Sequence, residues 1–182
     1  MVDGVMCDVQ TRDLVKKEVI HMDLLIPENM AEPHRMKFER YRAYYRRKRD
    51  FAHEIIIDEN NHIRNGYCSY LIAKEFGLQT VSMLRIDSSI PFEKVVSAYH
   101  VRRKNGVYAQ ASGKAYTWRA NVRKPVIPGD ILLVKTGERT CLVRVGRVGY
   151  AVGEEDCARY DEALKHIESC RLPRLRGKPA RY

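Results

Sequence analysis

The chain has 182 residues, 45% of them hydrophobic and 31% charged, with a formal net charge of +10. That length fits one ordinary domain or two small ones, the apolar share can fill a core, and no apolar run approaches a membrane span. A positive balance of this size points to a polyanionic partner, most often nucleic acid.

Five cysteines, Cys7, Cys68, Cys141, Cys157 and Cys170, are an odd number, widely spaced and without a CxxC pair. This is no disulfide framework, and free thiols in a reducing compartment are expected. The opening MVDGVMCDVQTRD is polar and carries acids, so it reads neither as a signal peptide nor as a transit peptide, and a cytoplasmic location in a host cell is expected.

In chain order, residues 1–18 form a short helix or loosely ordered lead. VIHMDLLI (19–26) reads as a strand stopped by Pro27. Residues 36–51 form a helix with Phe38, Tyr41 and Tyr45 on one face. EIIID (54–58) is a short buried strand followed by turn residues, and 62–64 a brief second one. Asn65-Gly66 then precedes a helix over 67–76, which Gly77 ends, and TVSMLRI (80–86) alternates as a strand. Residues 19–90 thus make one α/β unit.

The pattern FEKVVSAYHVRRK predicts a connecting helix in a linker over 91–106. Beyond it lie five short β patterns, at 107–110, 115–119, 130–135, 141–145 and 148–152. Gly113, Pro128-Gly129, Gly137, Gly146 and Gly149 punctuate them, which predicts a small antiparallel β-barrel. CARYDEALKHIES closes this second unit (107–170) as an amphipathic helix, and a basic tail follows over 171–182. The fold class is therefore α+β: an α/β unit, then a small antiparallel barrel and a C-terminal helix.

Charge is concentrated in three blocks. HRMKFERYRAYYRRKRD supplies Arg40, Arg42, Arg46, Arg47 and Arg49, with tyrosines interleaved that suit sugar or base packing. From Lys94 to Gly129 there is no acid, and Arg102, Arg103, Lys104, Arg119, Arg123 and Lys124 fall inside. The tail RLPRLRGKPARY is purely basic. A wet, amphipathic face is the plainer account of the first block. Recurrence of the charge favours nucleic-acid or partner binding by these eleven residues.

The first unit resembles the ParB/sulfiredoxin-like superfamily. The features that carry the likeness are a lead strand ending at Ile26-Pro27, a helix, EIIID, a glycine at a helix start in NGYCSYLIAKEFGL, and TVSMLRI. The superfamily signature is an acid-glycine pair, two variable residues and an arginine, an arrangement that holds phosphate on glycine backbone, helix N-terminus and guanidinium. Here the acid is replaced by Asn65 and the arginine by Ser69. Tyr67 occupies the place of the reactive cysteine of sulfiredoxins, with Cys68 one residue later. The second unit, with GKAYTWRANVRKPVIPGDILLVKT, looks like Src-homology-3-type barrels, which occur fused to ParB-like units in phage and mobile-element proteins. A basic chain of this build is similar to some type II anti-CRISPR proteins.

Several constellations have two readings. Asn65, Gly66, Tyr67 and Ser69 make either an anion site on backbone N–H groups or a simple turn and cap, with the turn favoured. Cys68 reads as a packing residue in preference to a nucleophile served by His53 or His62. Cys141, Cys157, His166 and Cys170 lack the close pairs of a zinc site. Asp58-Glu59 reads as a solvated turn, and Glu154-Glu155-Asp156 as a helix N-terminus. Trp118 is either core or part of an exposed strip, Tyr116–Arg119.

The expectation is a non-enzymatic binding protein without catalytic residues, cofactor or metal. Its partner would be double-stranded DNA or another polyanion, or a host nucleoprotein nuclease that it inhibits. The alternative is a divergent ParB-like nucleotide-dependent phosphotransferase, hydrolase or nuclease. The oligomeric state is left open.

Overall fold

The structure, a computed structural model, describes residues 14–122 and 124–168. The elements in order are β1 (Val15–His21), α1 (Arg35–Lys48), β2 (Ile55–Ile57), β3 (Ile63–Asn65), α2 (Tyr67–Glu75), β4 (Thr80–Ile86), β5 (Phe92–Lys104), β6 (Val107–Arg119), β7 (Ile131–Thr136), β8 (Arg139–Val152), α3 (Glu154–Arg159) and β9 (Ala163–Glu168). The chain is mixed α+β with two sheets. One has the order β1-β4-β2-β3, the other β6-β5-β8-β7-β9. No helix among the described residues is long and apolar enough to cross a membrane.

The first sheet follows from its sequence pattern. Ile55, Ile56 and Ile57 are fully buried because β2 runs parallel to β4 and antiparallel to β3, with apolar side chains wanted on both faces. The alternation of TVSMLRI pairs β4 with β1 from Val15↔Ile86 to His21↔Thr80. The lead strand thus begins earlier than expected and ends at His21, where a short 3₁₀ turn over Met22–Leu24 takes over. Helix α1 buries Tyr41, Tyr44 and Tyr45 and stops at Arg49, which takes a left-handed conformation (φ 55°). Arg46, Arg47 and Lys48 in its last turn complement the helix dipole.

Three expectations for the second half are corrected. The stretch 92–104 is a strand, because Val95, Val96, Ser97, Tyr99 and Val101 prefer extended backbone and β5 is flanked by β6 and β8 along most of its length. No barrel closes: the five strands form an open antiparallel sheet, and a single bridge, Arg119↔Glu162, links its outer strands. Gly113, Gly146 and Gly149 lie inside long strands and make no turns. Gly146 sits at a register shift between β5 and β8, and a Cβ there would lie 2.8 Å from the Tyr99 ring. The closing helix, finally, is only α3, and the chain then extends into β9 along β7. A register shift in that ladder between Leu133 and Val134 puts Ala163 and His166 inward three residues apart, a spacing that imitates a helix face.

The two sheets share buried side chains. Val15, Ile56, Leu84 and Ile86 of the first pack with Tyr150 and Val152 of the second. Tyr41, Tyr44 and Tyr45 of α1 pack with Ile127. Trp118 is core, its indole N–H donating to the Lys135 carbonyl. Asp130, fully buried, accepts hydrogen bonds from the Arg40 guanidinium, from the Ile127 amide (3.0 Å) and from the His166 ring (3.1 Å). Arg40 therefore bolts α1 onto the second sheet.

Gly66 fixes the start of α2 against β2. Its φ is 83°, and a Cβ there would lie 2.5 Å from the Glu54 carbonyl oxygen and 2.7 Å from Ile55 Cα, both rigid backbone. Gly66→Ala is expected to destabilise the fold by about 2–4 kcal/mol, the sum of left-handed strain and a backbone clash, read as a lower denaturant midpoint. Arg40→Met leaves the Asp130 carboxylate buried without its guanidinium and is expected to cost about 3–5 kcal/mol. An unchanged midpoint would show that this ion pair contributes no net stability.

Candidate functional site

A cavity of about 420 Å³ opens where α2 begins, walled by α1, by the 30–34 segment and by β5. Its lining includes Asn65, Gly66, Tyr67, Cys68 and Ser69 from the turn and helix start, Lys37 and Tyr41 from α1, His53, Arg64, and Lys94 from β5. A second hollow of about 650 Å³ shares His34, Lys37, Tyr41 and Lys94 with it and runs on past Lys124. The only carboxylate in the lining of either is Glu32, which is exposed.

The helix start provides donors. The first bond of the helical ladder is Tyr70 N–H to the Gly66 carbonyl (3.1 Å), and no side chain caps the turn. The amides of Tyr67, Cys68 and Ser69 are therefore the unsatisfied N-terminal set, bearing the positive end of the helix dipole. The Asn65 side chain accepts from the Gly66 amide (2.7 Å), and the Ser69 hydroxyl donates to the buried His53 carbonyl (2.6 Å). Both side chains thus hold the loop in shape and reach no ligand themselves. Of the four residues read from sequence as an anion site, the contributions left for an anion are backbone ones.

Lys94 is the residue sequence reasoning missed. It leaves the middle of a strand between half-buried Glu93 and fully buried Val95 and enters the cavity beside Lys37. Burial, and next the charge of Lys37, push its ammonium down to about 8. No carboxylate pairs with it among the described residues. Its one sequence signal was a lysine just before the strand-forming Val95-Val96, visible only once 92–104 is read as extended.

His53 is 5% exposed and hydrogen-bonded through Nε2 to the Tyr41 hydroxyl (2.6 Å). Its Nδ1 has no hydrogen bond of normal geometry, only the Val126 carbonyl nearby. Burial first, then Lys94 and Lys37, hold its ring well below the usual histidine range, so it is neutral. Cys68 is buried in the α1–α2 cluster, and burial pushes its thiol up, away from a reactive thiolate. Arg64 lies over the Phe92 ring (4.9 Å) and donates to the Asp87 carbonyl (2.7 Å), a tethered cation at the cavity wall.

The expected polyanion-binding residues divide. Arg40 is consumed by Asp130. Arg42 and Arg46 both reach Glu75 (3.5 and 3.4 Å), and Arg49 lies over Phe76. Arg119 pairs loosely with Glu93 and Glu162. Arg47, Arg102, Arg103, Lys104 and Lys124 are exposed. Arg123, Cys7, Cys170 and the tail lie outside the described residues. His166 is bound to Asp130, and Cys157 contacts the Ala151 carbonyl, so neither is turned to a shared metal.

No protein-family model and no curated protein sequence matches the chain. Among solved structures it is similar to a Pnob8-like ParB-N domain, at 24% identity and a TM-score of 0.36, over 40% of this chain and 30% of that one. It is also similar to a C-terminally truncated SbnI from Staphylococcus aureus, at 11% identity and a TM-score of 0.35, over 81% of this chain and 56% of that one. The chain thus matches less than two thirds of either neighbour's length, and likeness at this level leaves the functional argument to the cavity itself.

Proposed function

We propose that the chain binds a phosphorylated small molecule of nucleotide size in the cavity at the start of α2. The observation that carries this is Lys94, a largely buried ammonium without a carboxylate partner, aimed at the same space as three unsatisfied helix amides. Burying an unpaired cation costs free energy, and an anion seated there would remove the cost for both groups. The arrangement repairs the departure in the sequence. The superfamily-like arginine is missing at Ser69, and a cation reaches the same cavity from β5 instead. Cys68 is protonated and His53 neutral and locked to Tyr41, which favours binding over nucleophilic chemistry.

A second reading, binding of nucleic acid on the outer surface, is favoured by the exposed Arg47, Arg102, Arg103 and Lys104. The finer expectation, a host nucleoprotein nuclease as target, is tested by pull-down from host cytoplasm with and without nuclease digestion. A protein partner retained after digestion supports it, and loss on digestion leaves nucleic acid alone.

For the cavity, calorimetric titration with inorganic phosphate and with nucleoside mono- and triphosphates should show binding that Lys94→Met removes. Wild-type affinity should fall by up to tenfold per pH unit above about 8, as the free ammonium loses its proton. Lys94 is depressed from 10.5 in the unfolded chain to about 8 in the fold, so the unfolded state holds the extra proton between these values. Stability of the unliganded protein should therefore rise with pH across that window, and Lys94→Met should lack this rise and melt higher at pH 7. Binding that survives Lys94→Met unchanged would overturn the proposal.

A further inference from the structure

Past His100, β5 parts from its neighbour β8. The β5–β8 ladder ends at the His100–Val143 pair, while β5–β6 continues through Val101–Gln110, Arg102–Ala109, Arg103–Tyr108 and Lys104–Val107. Among the described residues no third strand pairs with these eight. They form a two-stranded ribbon closed by Asn105-Gly106, both with positive φ (50° and 77°), the two-residue turn whose twist matches a hairpin. Four residue pairs span roughly 13 Å.

Residues opposite one another share a face. One face therefore holds Arg102, Ala109, Lys104 and Val107, all exposed, with Val107 at 66%. Neither Arg102 nor Lys104 has an ion-pair partner among the described residues, and the sequence has no acid from Lys94 to Gly129. The other face carries Arg103, its guanidinium 5.7 Å from the Tyr108 ring centre, and Arg144 donates to the Tyr108 carbonyl (2.5 Å) from β8. The ribbon is thus braced on one face and bare on the other. Charges on an edge strand also discourage strand-to-strand aggregation, but that need leaves the exposed Val107 opposite Lys104 unexplained.

We infer that this ribbon enters the major groove of duplex DNA with its Arg102–Lys104 face inward. The groove is about 12 Å wide and admits a two-stranded β-ribbon. Arg102 and Lys104, both on β5, meet phosphates along one wall, and Val107 and the small Ala109 on β6 face base edges. The inference rests on the nucleic-acid reading above and is independent of the cavity.

The test is fluorescence anisotropy with a labelled duplex DNA of about two helical turns across a salt series, using wild type and Arg102→Ala/Lys104→Ala, with thermal melts as fold controls. Wild type should bind with log K falling linearly against log salt. The ribbon variant should lose tenfold or more in affinity and about two units of salt slope while melting like wild type. No retention of duplex at low salt overturns both the inference and the nucleic-acid reading. Retention that the ribbon variant leaves intact overturns the inference alone, as does equal binding of single strands, which have no groove.

Discussion

A carboxylate with no exposed surface organises the molecule. Asp130 sits at the start of β7, and the cost of burying its charge is met by three donors from three parts of the chain: Arg40 on α1, the Ile127 amide, and His166 on β9. Helix α1 is consequently held at one angle against the second sheet. Its Tyr41 then reaches His53, and its Lys37 faces Lys94. Replacing such a network by apolar groups is often neutral for stability, whereas breaking one member is costly, so its value here is in placement. The cavity exists because this ionic contact and the Gly66–β2 packing hold its walls.

The same network changes how the basic helix is understood. A row of arginines interleaved with tyrosines reads, on paper, as a phosphate-binding face. In space its members are divided between a buried carboxylate, the exposed Glu75 and the aromatic ring of Phe76. Guanidinium groups satisfy planar acids and aromatic faces as readily as phosphates, and a linear sequence does not say which is near. Of the five arginines read as that face, Arg47 is the one without an ion-pair or ring partner among the described residues.

Legibility followed the range of the interactions. The strands 55–57 and 80–86 and the helices α1 and α2 were visible because each announces itself within a few residues, by β-branched runs, by i to i+4 aromatics, or by Asn65-Gly66 and Gly77 at the ends. The strand 92–104 was mistaken for a helix because Phe92, Val95, Val96 and Tyr99 also fit helix spacing, and only the ladders to β6 and β8, set by residues up to 60 positions away, decide the matter. Ala163 and His166 misled in the same way through a register shift. Of the site, the loop and helix start were legible; Lys94, Lys37, His53 and Tyr41 were not brought together, since three separate segments, α1, the loop before β2 and β5, deliver them. Cys68 packs in the α1–α2 cluster, and Trp118 resolved to core from its two open readings.

Strand β5 deserves a mechanical description. It carries Lys94 near one end and Arg102–Lys104 at the other, about 30 Å apart along one extended backbone, and β8 pairs with it from Phe92 to His100. Such a strand is a cantilever: Lys94 lies in the length held by β8, and Arg102–Lys104 lie on the overhang past His100. Its anchoring is greatest at the cavity and least at the hairpin tip, which keeps the two cationic groups mechanically separate.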